Sequence, residues 1–446
     1  MKKIKNFTSW LYLFFSFLVL IYIYYKSEIV WQNSNFDYYQ KYYILSFILI
    51  LLSIISFFIN NEIKINILII IISTSFSFYI LEFYIDYYPQ EKFSKKIIQS
   101  YKEKTGKNLD QRSKFEIYKD LKKQFPNITV YVPPNDYLKD DNFDFFHLAG
   151  ISNSKTIHCN ESGYFSIYQS DKYGFNNPNE EWLKKDVEFI LVGDSFTHGA
   201  CVNRPKDISG NIRLIKNNNT AVINLGYSGH GPIMQYATIK EYSKGLNPKN
   251  VLWLYYEGND LADLENQLES SILLKYFNDN TFYQNLTSKQ KTLDELLKKR
   301  IDKQKKEIIE RQFSQFIKLY SLRNLLKMNK ESKENSSEAP KLKPFDEFKK
   351  ILNQTNELTK NNGSKLYFIY LPELARYRNL EYDNFDYNKI IKIVDNLGIP
   401  IIDIHKNVFI NQDKPLSLFP FGSQGHYNET GYKLVAKNIY EFVNSK

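Results

Sequence analysis

The chain opens with three apolar stretches, Trp10 to Tyr25, Tyr43 to Ile59 and Ile65 to Ile80, none with an internal charge. Each approaches the ~20 residues that cross a bilayer as a helix. Trp10, Tyr12, Tyr24, Tyr25, Tyr42, Tyr43 and Tyr84 sit near their ends, where interfacial aromatics belong. A cleaved signal peptide is the alternative for the first stretch, but Tyr, Lys and Glu follow it where a small-x-small cleavage site is required. Buried core helices are the alternative for the other two, and charge-free runs of this length favour spanning. The pattern predicts a three-span membrane anchor over residues 1–88, with the bilayer as a partner.

Lys2, Lys3 and Lys5 ahead of the first stretch argue for a cytoplasmic N-terminus. Three spans then put the remainder on the far side. Lys92, Lys95 and Lys96 pull the other way, with less weight because long domains translocate largely regardless of charge. The expected location is a multi-pass cell-membrane protein with its C-terminal part outside the cytoplasm.

Beyond residue 88 the pattern changes. A flanking region over 89–183 reads as charged helix to Phe125, a short strand ITVYV, and irregular β over 145–180. Short apolar runs then alternate with helical stretches: 187–194, 220–226, 250–256, 365–371 and 399–404. Runs with little in/out alternation, separated by helices, mark a parallel sheet buried on both faces. The predicted fold is α/β, a three-layer doubly wound sheet over 184–446. A Lys/Glu/Gln/Leu-rich insertion at about 261–350 interrupts it, helical to about Met328 and polar and mobile over KESKENSSEAPK.

Composition adds limits. The 446 residues carry 59 Lys+Arg against 49 Asp+Glu, a net charge of +10. That excess is spread along a chain heavy in Ile, Asn, Tyr and Phe, so nucleic acid is not an expected partner. Two cysteines, Cys159 and Cys201, are too few for a disulfide scaffold or a four-cysteine zinc site; one disulfide or two free thiols both remain open.

Candidate chemistry gathers at the strand ends. The first main strand runs into GDSFTHG, placing Ser195 at a strand-to-helix turn where its hydroxyl is exposed beside backbone amides. Alone, Ser195 would read as a helix cap. It is joined by the glycine-rich NLGYSGHGP after the second strand, by YYEGND with Asn259 after the third, and by GHYNETGY with His426 before the final helix.

Ser, Gly, Asn and His arriving in that order resemble the SGNH, or GDSL-type, hydrolase superfamily over roughly residues 165–446. The resemblance implies Ser195 as nucleophile and His426 as general base. It implies an oxyanion hole made by the N–H groups of Ser195 and Gly229 and the side chain of Asn259. No cofactor and no metal are implied. The superfamily's usual Asp, three residues before the histidine, is Ser423 here. A Ser–His dyad steadied by a backbone carbonyl is the preferred reading, with Asp403 at the fifth strand's end kept as candidate third member. His198 and His230 are read as packing residues ahead of substrate contacts, and His405 beside Asp403 is too weak a signal for a metal.

DKYGFNN at 171–177 resembles a segment of membrane-linked members that act on glycans, although a turn with Gly174 at positive φ explains its geometry equally well. The implied function is a membrane-anchored serine esterase or O-acyltransferase acting on acyl, foremost acetyl, esters of extracytoplasmic glycans, with other envelope-biosynthesis proteins as candidate partners. A lipase or thioesterase drawing substrate from the bilayer is the enzymatic alternative. A non-catalytic scaffold in glycan export is the alternative from another class.

Overall fold

The computed structural model describes residues 6–32, 36–87, 93–140, 145–216, 218–326, 343–379 and 381–445. Lys2, Lys3, Lys5, Lys92 and the polar KESKENSSEAPK stretch lie outside the described residues. The chain forms two compact units, Met1–Gln90 with Ile309–Asn335, and Glu91–Ile308 with Ser336–Lys446.

In the first unit, helices Phe7–Val30, Phe36–Phe58 and Asn61–Asp86 are long and apolar enough to cross a membrane. The second ends at Phe58, one short of Ile59, but starts seven residues earlier, and the first and third extend past the predicted stretches at both ends, because helix continues into polar flanks once its backbone bonds are started. Small polar side chains lie inward: Ser16 Oγ meets Ser53 Oγ at 2.8 Å, which lets the first two helices approach closely. Ile70, Phe76 and Phe83 on the third helix face outward, as side chains bathed in lipid would.

The second unit holds two sheets. A small one has β1 (Ile128–Val130) parallel to β2 (Lys155–Ile157), which pairs antiparallel with β3 (Ile167–Gln169). The main sheet contains β4 (Val187–Gly193), β5 (Ala221–Asn224), β6 (Asn250–Tyr256), β7 (Lys365–Leu371) and β8 (Ile401–Asp403). Its order is β5-β4-β6-β7-β8, with every pair parallel. This is the doubly wound α/β fold that the alternating pattern predicts, in the 2-1-3-4-5 order of flavodoxin-like sheets.

The four strands β4 to β7 bury both faces, and the edge strand β8 is half-buried. Ile190, Val192, Trp253 and Phe368 pack towards helices Pro232–Tyr242 and Phe345–Asn361 on one side. Phe189, Leu191, Leu254 and Ile369 pack towards helices Ile208–Ile215 and Glu429–Asn444 on the other. That double burial removes the polar alternation and leaves the continuous apolar runs of the sequence. The order of strand addition reverses between β4 and β6, β5 lying on one side of β4 and β6 to β8 on the other, and such a switch point opens a crevice at the carboxyl ends of the strands.

The insertion begins with helices Asp260–Gln267, Ser271–Asn278 and Gln290–Ile317. Its early part is tied to the flanking region: Arg300 donates to Asp140 Oδ2 at 3.0 Å, and the Ser152 hydroxyl to Asp294 Oδ2 at 2.6 Å.

Candidate active site

Ser195 follows β4 directly. Gly193 is required there by close approach: a Cβ would lie 2.1 Å from Thr197 Oγ1 and 2.7 Å from the Leu254 carbonyl oxygen. Asp194 caps the short helix Ser195–His198, its Oδ1 accepting from the Phe196 N–H at 2.9 Å. The turn thereby presents the Ser195 hydroxyl, whose Oγ stands 2.9 Å from His426 Nε2. Asp194 Oδ2 is the more distant acceptor, at 3.3 Å.

His426 reaches this position from the loop before the final helix, which Asn428 caps by accepting from the Gly431 N–H at 3.0 Å. Its other ring nitrogen, Nδ1, lies 2.9 Å from Glu161 Oε1, and its backbone N–H donates to Glu161 Oε2 at 2.9 Å. A carboxylate on Nδ1 fixes the tautomer with the proton there, leaving Nε2 free to accept from the serine. Burial pulls the imidazole pKa down, but the hydrogen bond and charge of Glu161, with the charge of Asp194, outweigh it and the net shift is upward.

Glu161 comes from the turn between β2 and β3, in the flanking region. Neighbouring Asn160 donates to the Asp110 carbonyl at 2.6 Å and accepts from the Gly163 N–H at 3.0 Å. Two residues before Glu161, Cys159 forms a disulfide with Cys201, which lies beyond the Ser195 turn. Tyr164 OH adds a bond to Glu429 at 3.2 Å. The open question of the two cysteines is thus answered by pairing, and the pair clamps the turn that carries the carboxylate. Glu161, His426 and Cys201 bring three ligand-type atoms within 4.8 Å of one another, yet the Cys201 sulfur is committed to the disulfide, so this is no metal site in the oxidised chain.

Asp403 does not serve His426. Its Oδ2 accepts from Tyr387 OH at 2.6 Å and its Oδ1 from the Lys406 N–H at 3.1 Å. Both His426 ring nitrogens are engaged by Ser195 and Glu161, so neither the dyad nor the Asp403 triad describes the arrangement. Ser423, at the superfamily's usual Asp position, has no hydrogen-bond partner for its hydroxyl among the described residues.

The remaining candidates follow the strand ends. Gly229 has φ +82°, and a Cβ there would approach Asn135 Oδ1 to 2.9 Å, so only glycine keeps this loop closed down on the flanking region. Tyr131 OH donates to the neighbouring Ser228 carbonyl. The Ser228 hydroxyl sits 2.9 Å from His158 Nε2 and 3.2 Å from His198 Nδ1. Burial pushes His158 well below its ordinary value and His198 down to about 3, so both stay neutral props of the Gly229 loop. His198 and His230 are fully buried, which makes them packing residues. His405 bonds Tyr377 OH at 2.8 Å.

Asn259 opens helix Asp260–Gln267 at the end of β6, beside β4. Its Nδ2 donates to Asp263 Oδ2 at 2.8 Å, and its Oδ1 is buried with no hydrogen-bond partner among the described residues. Burial first, then the charge of Asp194, raises the Asp263 carboxyl to about 7. Burial likewise raises Asp194 to about 6.

No family model and no curated protein matches the chain. Solved structures similar to it include a lipase/acylhydrolase from Enterococcus faecalis, with 12% identity, 58% of this chain and 96% of the other covered, and a TM-score of 0.33. An acetyl xylan esterase shares 12% identity over 58% of this chain and 100% of its own, with a TM-score of 0.32. The esterase EstA from Pseudoalteromonas sp. shares 9% identity over 58% and 98%, with a TM-score of 0.28. Activity and substrate rest on the chain's own geometry, because likeness at this level carries neither.

Proposed function

We propose that the chain is a membrane-anchored serine esterase or O-acyltransferase whose nucleophile is Ser195. The observation that carries this reading is the continuous relay of Ser195 Oγ to His426 Nε2 and His426 Nδ1 to Glu161, each at 2.9 Å. A serine hydroxyl is a weak nucleophile until an imidazole removes its proton, and an imidazolium needs a carboxylate to balance it.

Ser195 Oγ attacks the acyl carbon while its proton passes to Nε2. The carbonyl π electrons move onto oxygen, and the resulting oxyanion is met by the N–H groups of Ser195 and Gly229 and by Asn259 Nδ2. Collapse expels the alcohol, which takes the proton from Nε2, and leaves Ser195 acylated. Water or a second hydroxyl then repeats the sequence in reverse, giving hydrolysis or transfer. Glu161 accepts the Nδ1 hydrogen bond throughout and does not itself need to be protonated.

The substrate class we assign is an acyl ester, foremost acetyl, on a glycan outside the cytoplasm. Three features support it: the DKYGFNN likeness at 171–177, the three apolar helices ahead of the sheet, and a disulfide, which persists in oxidising compartments. A binding-only scaffold would need no carboxylate behind the imidazole, and the contact of Glu161 with His426 Nδ1 at 2.9 Å speaks for the catalytic reading instead. The deciding experiment incubates the full chain in detergent with an O-acetylated polysaccharide and measures released acetate and acetyl transfer to added oligosaccharide. Acetate or transfer product that disappears in Ser195→Ala supports the reading; neither product from the wild-type chain refutes it.

A further inference from the structure

After the long insertion helix, the chain docks against the third apolar helix within the same compact unit. The Ser321 and Leu322 N–H groups donate to the two oxygens of Glu82, at 2.8 and 2.7 Å. The Ser321 hydroxyl donates to Asp86 Oδ1 at 2.5 Å, and Tyr79 OH to the Ile317 carbonyl at 3.0 Å. Glu82 is fully buried in a largely apolar helix, so these donors satisfy a carboxylate that hydrocarbon could not. The segment is therefore an integral part of the membrane unit.

Docking places Lys318 and Arg323 opposite the end of the first apolar helix and the start of the second. With Lys26, Trp31, Tyr38 and Tyr42 they wall a groove of about 630 Å³. None of the three cations is ion-paired among the described residues, and the nearby Glu28 is engaged by Ser27 and Tyr43. The first apolar helix ends, the second begins and the third ends at this level, so the groove sits at one edge of the apolar belt. Aromatic rings and cations at that depth match the phosphate layer of a bilayer, and the outward-facing Ile29, Val30 and Tyr22 offer adjacent apolar surface for acyl chains.

We propose that this groove binds the phosphate headgroup of an anionic phospholipid. Arg323 supplies a planar fork for phosphate oxygens, Lys26 and Lys318 supply point charge, and the tyrosine hydroxyls supply further donors. Continuity with lipid-facing apolar side chains favours a lipid over a soluble phosphate.

The test uses native mass spectrometry of the detergent-solubilised full chain, offered phosphatidylglycerol, phosphatidylcholine or inorganic phosphate. The wild-type chain should retain phosphatidylglycerol over phosphatidylcholine by roughly tenfold or more, and Lys318→Gln with Arg323→Gln should abolish that preference while phosphatidylcholine adducts stay unchanged. The charge-keeping pair Lys318→Arg with Arg323→Lys should retain it. Equal retention of both lipids, a preference that survives the Gln pair, or displacement of phosphatidylglycerol by millimolar inorganic phosphate would each overturn the proposal. Should the Gln pair fail to fold, Arg323→Gln alone is read by the same criteria, with unchanged phosphatidylcholine adducts and monodisperse elution in detergent reporting that the membrane unit is intact.

Discussion

Glu161 holds His426 at two points, one carboxylate oxygen 2.9 Å from ring Nδ1 and the other 2.9 Å from the backbone nitrogen. The two residues are 265 positions apart, and the grip fixes both the tautomer of the ring and the path of the loop that carries it.

Glu161→Gln is therefore expected to lower kcat by roughly 10²–10⁴ with little change in KM, because an amide can stabilise the wrong tautomer and cannot balance an imidazolium. Asp403→Asn should be close to silent, since that carboxylate serves Tyr387 and Lys406. Steady-state kinetics on a soluble acetyl ester measures both. A large loss in Asp403→Asn with Glu161→Gln unaffected would reverse the assignment.

The pH profile follows from the same pair. His426 must be neutral to act as base, and its pKa is raised above the ordinary imidazole value. Activity should fall as pH drops through that raised value. In Glu161→Gln the main raising influence is gone, so the acid limb of kcat/KM should move to lower pH. An unmoved limb would mean that another group sets it.

Asn259→Ala should reduce kcat by roughly 10²–10³ at nearly constant KM, the usual loss for one oxyanion donor. A rise in KM alone would show that the amide binds ground-state substrate instead.

How far the sequence reveals all this depends on the distance over which each contact acts. The five strands are legible because each is a local run of side chains buried on both faces, and Ser195 and Asn259 are legible because they sit directly on strand ends. Glu161 is not: it lies in a polar turn, HCNESGY, with no spacing that marks it. Its position is set by the β2–β3 hairpin that carries it and by the Cys159–Cys201 link, a long-range contact that no local pattern announces. The one available signal was conditional. Cys201 lies six residues past Ser195, so pairing of the cysteines would have carried Glu161 to the Ser195 turn. Asp403 misleads for the opposite reason, standing at a strand's end with its carboxylate already committed.

Asp263 offers a stability test. Its folded carboxyl pKa, about 7, exceeds the ordinary value of 3.8, so the native state favours the protonated form. The contribution of this carboxyl to stability is thus fully present below about pH 4 and is lost as pH rises towards 7. Asp263→Asn, which keeps an acceptor for Asn259, should gain in Tm relative to wild type progressively between pH 4 and 7, and no further above. A gain independent of pH would place the effect outside this titration.

Reduction of Cys159–Cys201 should destabilise the second unit by about 2–4 kcal/mol, as expected for cross-linking residues separated by 42 positions. Because the link carries the Glu161 turn, a dithiol should also lower kcat in protein that is still folded. Full activity after complete reduction, verified by thiol counting, would show that the turn holds itself.

The central claim is that Ser195 is acylated. A serine-directed phosphonate ester applied to the full chain, followed by peptide mass spectrometry, tests it most directly. A single phosphonyl adduct on Ser195, absent in His426→Ala and accompanied by complete loss of ester turnover, is the predicted result; turnover that persists with Ser195 fully modified, or in Ser195→Ala, would contradict it.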